Sequence, residues 1–150
     1  INARAAYLSV VSNPNSPTLA TLKSDYKDSD YTQQSVLMMA KHAVSSGNYH
    51  QAIEHLSPLL KAENEFIANT AKLRSAAIYL QMSNHDQALS VLGTDEDSAF
   101  NALYNHTKGD IYLAQNNIDS AKKHYQLALG QLSTDSELRN LIQIKLNDLN

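Results

Sequence analysis

Six histidines are the residues of this chain best suited to acid–base or metal chemistry: His42, His50, His55, His85, His106 and His124. Their spacing favours neither. A helical metal pair needs two ligands on one face, three or four residues apart. His50 and His55 are five apart and leave a helix from different faces, and no His-Glu-x-x-His run occurs. His50 and Glu54 make an i, i+4 couple of the kind found on helix surfaces. Asp95, Glu96 and Asp97 place three carboxylates in a row. Ahead of a helix they suit the positive end of its dipole, which accounts for them without a metal. Nucleophilic chemistry finds no framework: there is no Gly-x-Ser-x-Gly elbow and no glycine-rich phosphate loop. The chain has no cysteine, which excludes disulfides, thiolate catalysis and Cys-based zinc sites. Asn105-His106-Thr107 spells a glycosylation sequon, but inside a predicted helix. The residues therefore predict no enzyme, no metal and no cofactor.

The elements that carry these residues are helical. Of 150 residues, 43% are hydrophobic and 18% charged, with only four Gly and three Pro. That composition predicts one globular all-α domain over 1–150, able to bury roughly 70% of its unfolded surface. A net charge of −3, with no basic stripe, argues against a nucleic-acid interface. No run of about 18 apolar residues crosses a membrane. The chain starts at Ile1 rather than Met, which reads as a domain excised from a longer protein, so that any anchor or targeting segment would lie upstream. Residues 2–12 read as a short helix. Pro14 and Pro17 break it, Ser16 caps a second helix, and Leu19, Leu22 and Tyr26 give that helix an apolar face.

Further helices follow at 31–46, 49–61, 66–82, 87–92 and from about 98. Asp28 or Asp30 caps the first of these. Pro58 kinks or shortens the second, and Gly93 stops the fourth. Asp135 or Thr134 caps a final helix whose apolar side holds Leu138, Leu141, Ile142, Leu146 and Leu149, with Lys145 among them.

The best-formed stretch is Gly109 to Ala128, GDIYLAQNNIDSAKKHYQLA. Gly109 and Tyr112 share one helix face; Ala121, Tyr125 and Ala128 share a second, across the polar break Gln115-Asn116-Asn117. The turn recurs at Ser83-Asn84-His85-Asp86-Gln87-Ala88 and at Gly47-Asn48-Tyr49-His50-Gln51-Ala52, shifted by 33 and 69 residues. Twelve before each alanine stands a small residue, Gly109, Ala76 or Ala40. Four after it stands Tyr125, Leu92 or Leu56. A period of 33 to 36 with this pattern is similar to the tetratricopeptide repeat. It predicts a right-handed array of antiparallel helix pairs, at about 31–61, 65–93 and 98–131, closed by a capping helix at about 135–149. Repeats one and two lack the later alanine, holding Leu59 and Asp95 there.

In such arrays the first helices of successive pairs line a concave groove. The groove-facing candidates are Gln34, Leu37 and Lys41, then Leu73, Ala77 and Gln81, then His106, Asp110 and Leu113. The Lys and Asn pattern of a carboxylate clamp is not evident, and the mixed polar and apolar set fits an extended or helical peptide.

The phrases AKHAVSSGNYHQAIEHLSPLL, AKLRSAAIYLQMSNHDQALSVL and KGDIYLAQNNIDSAKKHYQLAL, with the ending IKLNDL, resemble the periplasmic domain of the ancillary SecYEG translocon subunit family. NARAAYLSVV and LATLKSDYKDSDY resemble the region following that family's membrane anchor. The resemblance implies one upstream transmembrane helix in the bacterial inner membrane and a non-enzymatic role in the periplasm. It implies work in a chaperone network beside the SecYEG translocon and the membrane-anchored folding factor PpiD, with unfolded client chains as further partners. The rival readings are a tetratricopeptide adaptor for an unrelated protein or peptide, and a small helical enzyme.

Overall fold

A computed structural model describes residues 3, 4, 8, 30–93 and 99–150. The expectations for the N-terminal helices, for a cap at Asp28 and for the acidic run 95–97 lie outside them, apart from isolated residues. Among the described residues there are seven α-helices and no strand. They are α1 (Asp30–Ser45), α2 (Tyr49–Leu56), α3 (Glu65–Gln81), α4 (His85–Leu92), α5 (Asn101–Ala114), α6 (Ile118–Gln131) and α7 (Glu137–Asn147). None is long and apolar enough to cross a membrane.

Most boundaries fall within a residue or two of the periodicity, but the helix expected from about 98 begins at Asn101, with Phe100 at its N-cap position; three further ends are set by local chemistry. The helix expected over 49–61 ends at Leu56, and Ser57–Leu59 tightens into a 3-10 turn. Pro58 has no N–H to continue the α-helical ladder but suits the first turn of a new element. The fourth helix begins at His85 rather than at 87, because Asn84 caps it. The last helix is capped by Ser136, not by Thr134 or Asp135: its hydroxyl accepts from the Arg139 N–H at 3.3 Å.

Three turns carry one hydrogen-bond pattern. In the first, the Asn48 N–H reaches the Ala43 carbonyl at 2.8 Å and the Gly47 N–H reaches Val44 at 3.0 Å. In the second, Asn84 bonds Tyr79 at 2.8 Å and Ser83 bonds Leu80 at 3.0 Å. In the third, Asn117 bonds Tyr112 and Asn116 bonds Leu113, both at 2.9 Å. This crossed pair is the Schellman motif, which satisfies carbonyls that a helix end leaves unpaired. It requires a left-handed residue, and Gly47 (φ 78°), Ser83 (φ 59°) and Asn116 (φ 60°) supply it. Each terminal Asn also starts the next helix, its carbonyl accepting from Ala52, Ala88 or Ala121 at 3.0–3.1 Å. The Asn84 and Asn117 side chains add caps to the N–H groups of Gln87 and Ser120. Asparagine fits because it ends one helix and caps another without an intervening residue. The tight turn leaves the paired helices antiparallel.

The chain divides inside α3 into two compact units, Ile1–Ser75 and Ala76–Asn150. In the first, α1 packs on α2. Val36, Leu37, Met39, Ala40, Ala43, Ala52 and Leu56 are buried, and Arg74 on α3 donates to the Leu37 carbonyl at 3.2 Å. In the second, α4 packs on α5, α5 on α6 and α6 on α7. A core of Ala121, Tyr125, Ala128, Ile142 and Leu146 lies under α7, with Tyr112, Leu113, Leu138 and Leu149 against it. Each large apolar side chain so buried contributes about 1.5–3 kcal/mol. Leu141, expected on the apolar side of α7, is instead 45% exposed, as is Ile144 at 59%. The helix turns a narrower stripe to the core than the sequence pattern predicts.

Candidate functional site

The diagnostic repeat positions are packing positions. Ala52, Ala88 and Ala121 are 0% exposed, and Leu56, Leu92 and Tyr125 sit at 0–1%. Gly109 permits the tightest approach. A Cβ there would stand 2.4 Å and 2.5 Å from Tyr125 Cε1 and Cδ1, so a hydrogen at this position is what lets α5 and the Tyr125 ring meet.

Beside this contact lies a polar cluster on three helices of the second unit. The Tyr125 hydroxyl, from α6, donates to Asp110 Oδ1 of α5 at 2.6 Å. Lys145 of α7 donates to Asp110 Oδ1 and Oδ2 at 3.0 and 3.1 Å, and its Nζ lies 2.8 Å from His106 Nε2. His106 Nε2 is 3.5 Å from Asp110 Oδ2. Side-chain exposure is 16% for His106, 28% for Asp110 and 29% for Lys145, so water screens the group only in part. Burial, with the Lys145 charge, lowers the His106 pKa against the upward pull of Asp110. Burial, then the hydrogen bond and charge of Asp110, pushes the Tyr125 phenol above its ordinary range. Arg139 adds a second tie, its guanidinium donating to the Leu129 carbonyl at the end of α6.

An open cleft of about 440 Å³ lies in the same unit, lined by Asp86, Leu89, Ser90 and Gly93, by Lys108 and Tyr112, and by His124. His124 stacks on Tyr112, with ring centroids 5.2 Å apart and planes 15° apart. Its Nδ1 lies 2.9 Å from Asn105 Oδ1. The sequon amide Asn105 Nδ2 donates to Gln131 Oε1 at 3.1 Å from within α5. Among the described residues no group of three or more His, Asp or Glu is placed to hold a metal.

The residues expected in a groove fall into three groups. Lys41, Ala77 and Gln81 are exposed, while Gln34 and Leu73 are half-buried. Leu37 is 4% exposed and belongs to the core of the first unit. His106, Asp110 and Leu113 are brought together by α7: the first two bind Lys145, and Leu113 packs against the Ile142 and Leu146 core. Sequence reasoning missed Lys145 and Tyr125 as members of one cluster with Asp110. A cation in the apolar stripe of the last helix, between Ile142 and Leu146, was the available signal.

Comparison with known proteins agrees with this architecture. The family model described as tetratricopeptide repeat-like domain matches residues 3–150. The ancillary SecYEG translocon subunit of Neisseria gonorrhoeae is 34% identical over 132 residues, covering 87% of this chain and 63% of that protein. Its counterpart in Aggregatibacter actinomycetemcomitans is 32% identical over 129 residues, covering 85% and 62%. The chain thus spans less than two thirds of the length of these relatives. Among solved structures, MamA 41-end from Desulfovibrio magneticus RS-1 superposes with a TM-score of 0.64 at 16% identity, covering 98% of this chain and 85% of that one. This likeness is one of fold.

Proposed function

The chain belongs to the tetratricopeptide repeat-like domain family, and on that premise we propose that it is a non-enzymatic protein-interaction module of an ancillary SecYEG translocon subunit. In this reading it works on the periplasmic side of a bacterial inner membrane, held by an anchor upstream of Ile1. Its partners are the translocon, the folding factor PpiD and unfolded client chains in transit. The observation that carries the reading is the threefold turn. The Asn48, Asn84 and Asn117 turns repeat one geometry, and the residues they organise are spent on packing helices together. Repetition of that kind builds surface for a protein partner. The relatives named for the SecYEG translocon support this choice of partner.

Partner contact falls on the first helices of the pairs. The residues with free surface there are Gln34, Lys41 and Leu73 in the first unit and Ala77 and Gln81 in the second. Their mix of amide, ammonium and apolar groups suits a peptide segment bound through both backbone and side chains. His106, Asp110 and Leu113 contribute less, because α7 already engages them.

Site-specific photocrosslinking in the full-length, membrane-anchored protein tests this. Probes at Lys41, Ala77 and Gln81 should trap translocon subunits or PpiD, and a probe at exposed Gln126 on α6 should trap neither. Recovery of translocon components from none of the first-helix positions would refute the proposal; recovery of an unrelated protein would favour the general adaptor reading.

A further inference from the structure

Lys145 makes the state of His106 readable. An ammonium has three donors and no lone pair, so at 2.8 Å from Lys145 Nζ the His106 Nε2 must be the acceptor. The imidazole is therefore neutral, with its proton on Nδ1. In that state the 3.5 Å approach of Nε2 to Asp110 Oδ2 is a contact of two acceptors. Lys145 bridges them by donating to both.

We propose that His106 is a pH-sensitive latch for the C-terminal helix: neutral, it holds α7 onto α5 through Lys145, and protonated, it lets go. Protonation puts a hydrogen on Nε2, where Lys145 already points one, and sets two cations 2.8 Å apart in a half-buried site. The imidazolium then turns toward Asp110 and competes with Lys145 for the carboxylate. The charged and titratable groups facing His106 are Asp110 from its own helix, Lys145 from α7 and Tyr125 from α6, whose ring centroid lies 6.3 Å away. Tyr125 remains protonated throughout, since its phenol is shifted upward. Asp110 is one anion against Lys145 and the new imidazolium, so the cluster passes from neutral to singly positive.

The sign follows from linkage. The folded His106 pKa lies below its ordinary value of about 6.5. In the window between the two values the unfolded or released form binds more protons, so docking strengthens as pH rises and weakens as pH falls. What α7 uncovers on release is apolar: Ala121, Tyr125 and Ala128, now under Ile142 and Leu146.

Hydrogen exchange of the α7 amides, corrected for intrinsic rates, reads the opening directly. Between pH 7.5 and pH 5.0 the α7 opening constant should rise by up to tenfold for each unit by which the folded pKa lies below the free value. The amides of α1 should not follow. In His106→Gln, whose amide oxygen still accepts from Lys145 but does not titrate, the rise should vanish. This variant also separates His106 from His124. Nitrogen spectra of the wild-type imidazoles give an answer independent of whether the variant folds: His106 should be the Nδ1–H tautomer at pH 7.5. A pH-independent α7, a full response retained in His106→Gln, or an Nε2–H tautomer would each overturn the latch.

Discussion

Replacing Gly109 with alanine should destabilise the domain, although alanine is the better helix former. The added Cβ would lie 2.4 Å and 2.5 Å from two Tyr125 ring carbons and 3.0 Å from a third. The ring is fully buried, and its hydroxyl is held at 2.6 Å by Asp110, so retreat breaks a bond to a charged acceptor. Overpacking of a core costs about 1–3 kcal/mol, and a hydrogen bond to a charged group is worth about 1.5–3 kcal/mol. Against these, Gly→Ala inside a helix returns about 1 kcal/mol. The balance is a loss of about 1.5–5 kcal/mol, or a fall in Tm of roughly 3–20 °C for a domain of this size. Thermal denaturation followed by circular dichroism measures it. The other two repeats supply the control. Where the third has Gly109 and Tyr125, they have Ala40 with Leu56 and Ala76 with Leu92, all buried. Gly109→Ala combined with Tyr125→Leu should therefore cost less than the two single changes added together, a coupling that a cycle of melts resolves. A Gly109→Ala single variant that melts at or above the parent temperature would refute the steric argument.

Two further outcomes follow from the turns. Ser83 pays for a left-handed conformation that Gly47 adopts freely in the first repeat, so Ser83→Gly should stabilise by up to about 1 kcal/mol, offset in part by the entropy of a more flexible unfolded chain; urea titration reads the midpoint shift. Asn117→Ala removes the cap on the Ser120 N–H at 3.3 Å and should cost about 1 kcal/mol in the same assay.

How much was legible before the structure depended on the range of the interaction. The turns were legible because everything they need lies within six residues: an asparagine, a residue that tolerates positive φ, and an alanine four places on. The 33- and 36-residue shifts of the turn phrases are the shifts of the left-handed residues, Gly47 to Ser83 to Asn116. Helix ends were less certain where several caps stood in a row. Thr134, Asp135 and Ser136 can each cap, and which one does depends on where α7 must sit to bury Ile142 and Leu146. The polar cluster was not legible, because its partners are far apart: Asp110 and Lys145 are separated by 35 residues and His106 and Lys145 by 39. The place of Lys145 in the apolar stripe of α7 sets it apart from a solvated lysine, but nothing local names the groups it meets. His106 and Asp110, four apart on α5, read equally well as members of a binding face.

That ambiguity has a physical origin that bears on how the array ends. A first-helix face rich in polar groups can meet a partner chain or the chain's own last helix, and both use the same chemistry. In the third repeat the last helix takes the position. Apolar contact alone, through Ile142 and Leu146, would leave α7 free to slide by a turn, since the hydrophobic effect is non-directional. The Lys145 bridge removes that freedom, because a bond to two acceptors on successive turns of α5 is made in one register and lost in the next. The cost is dependence on an unprotonated imidazole. A helix held only by leucines would be indifferent to pH, and this one is fixed in register by the same group that makes it responsive.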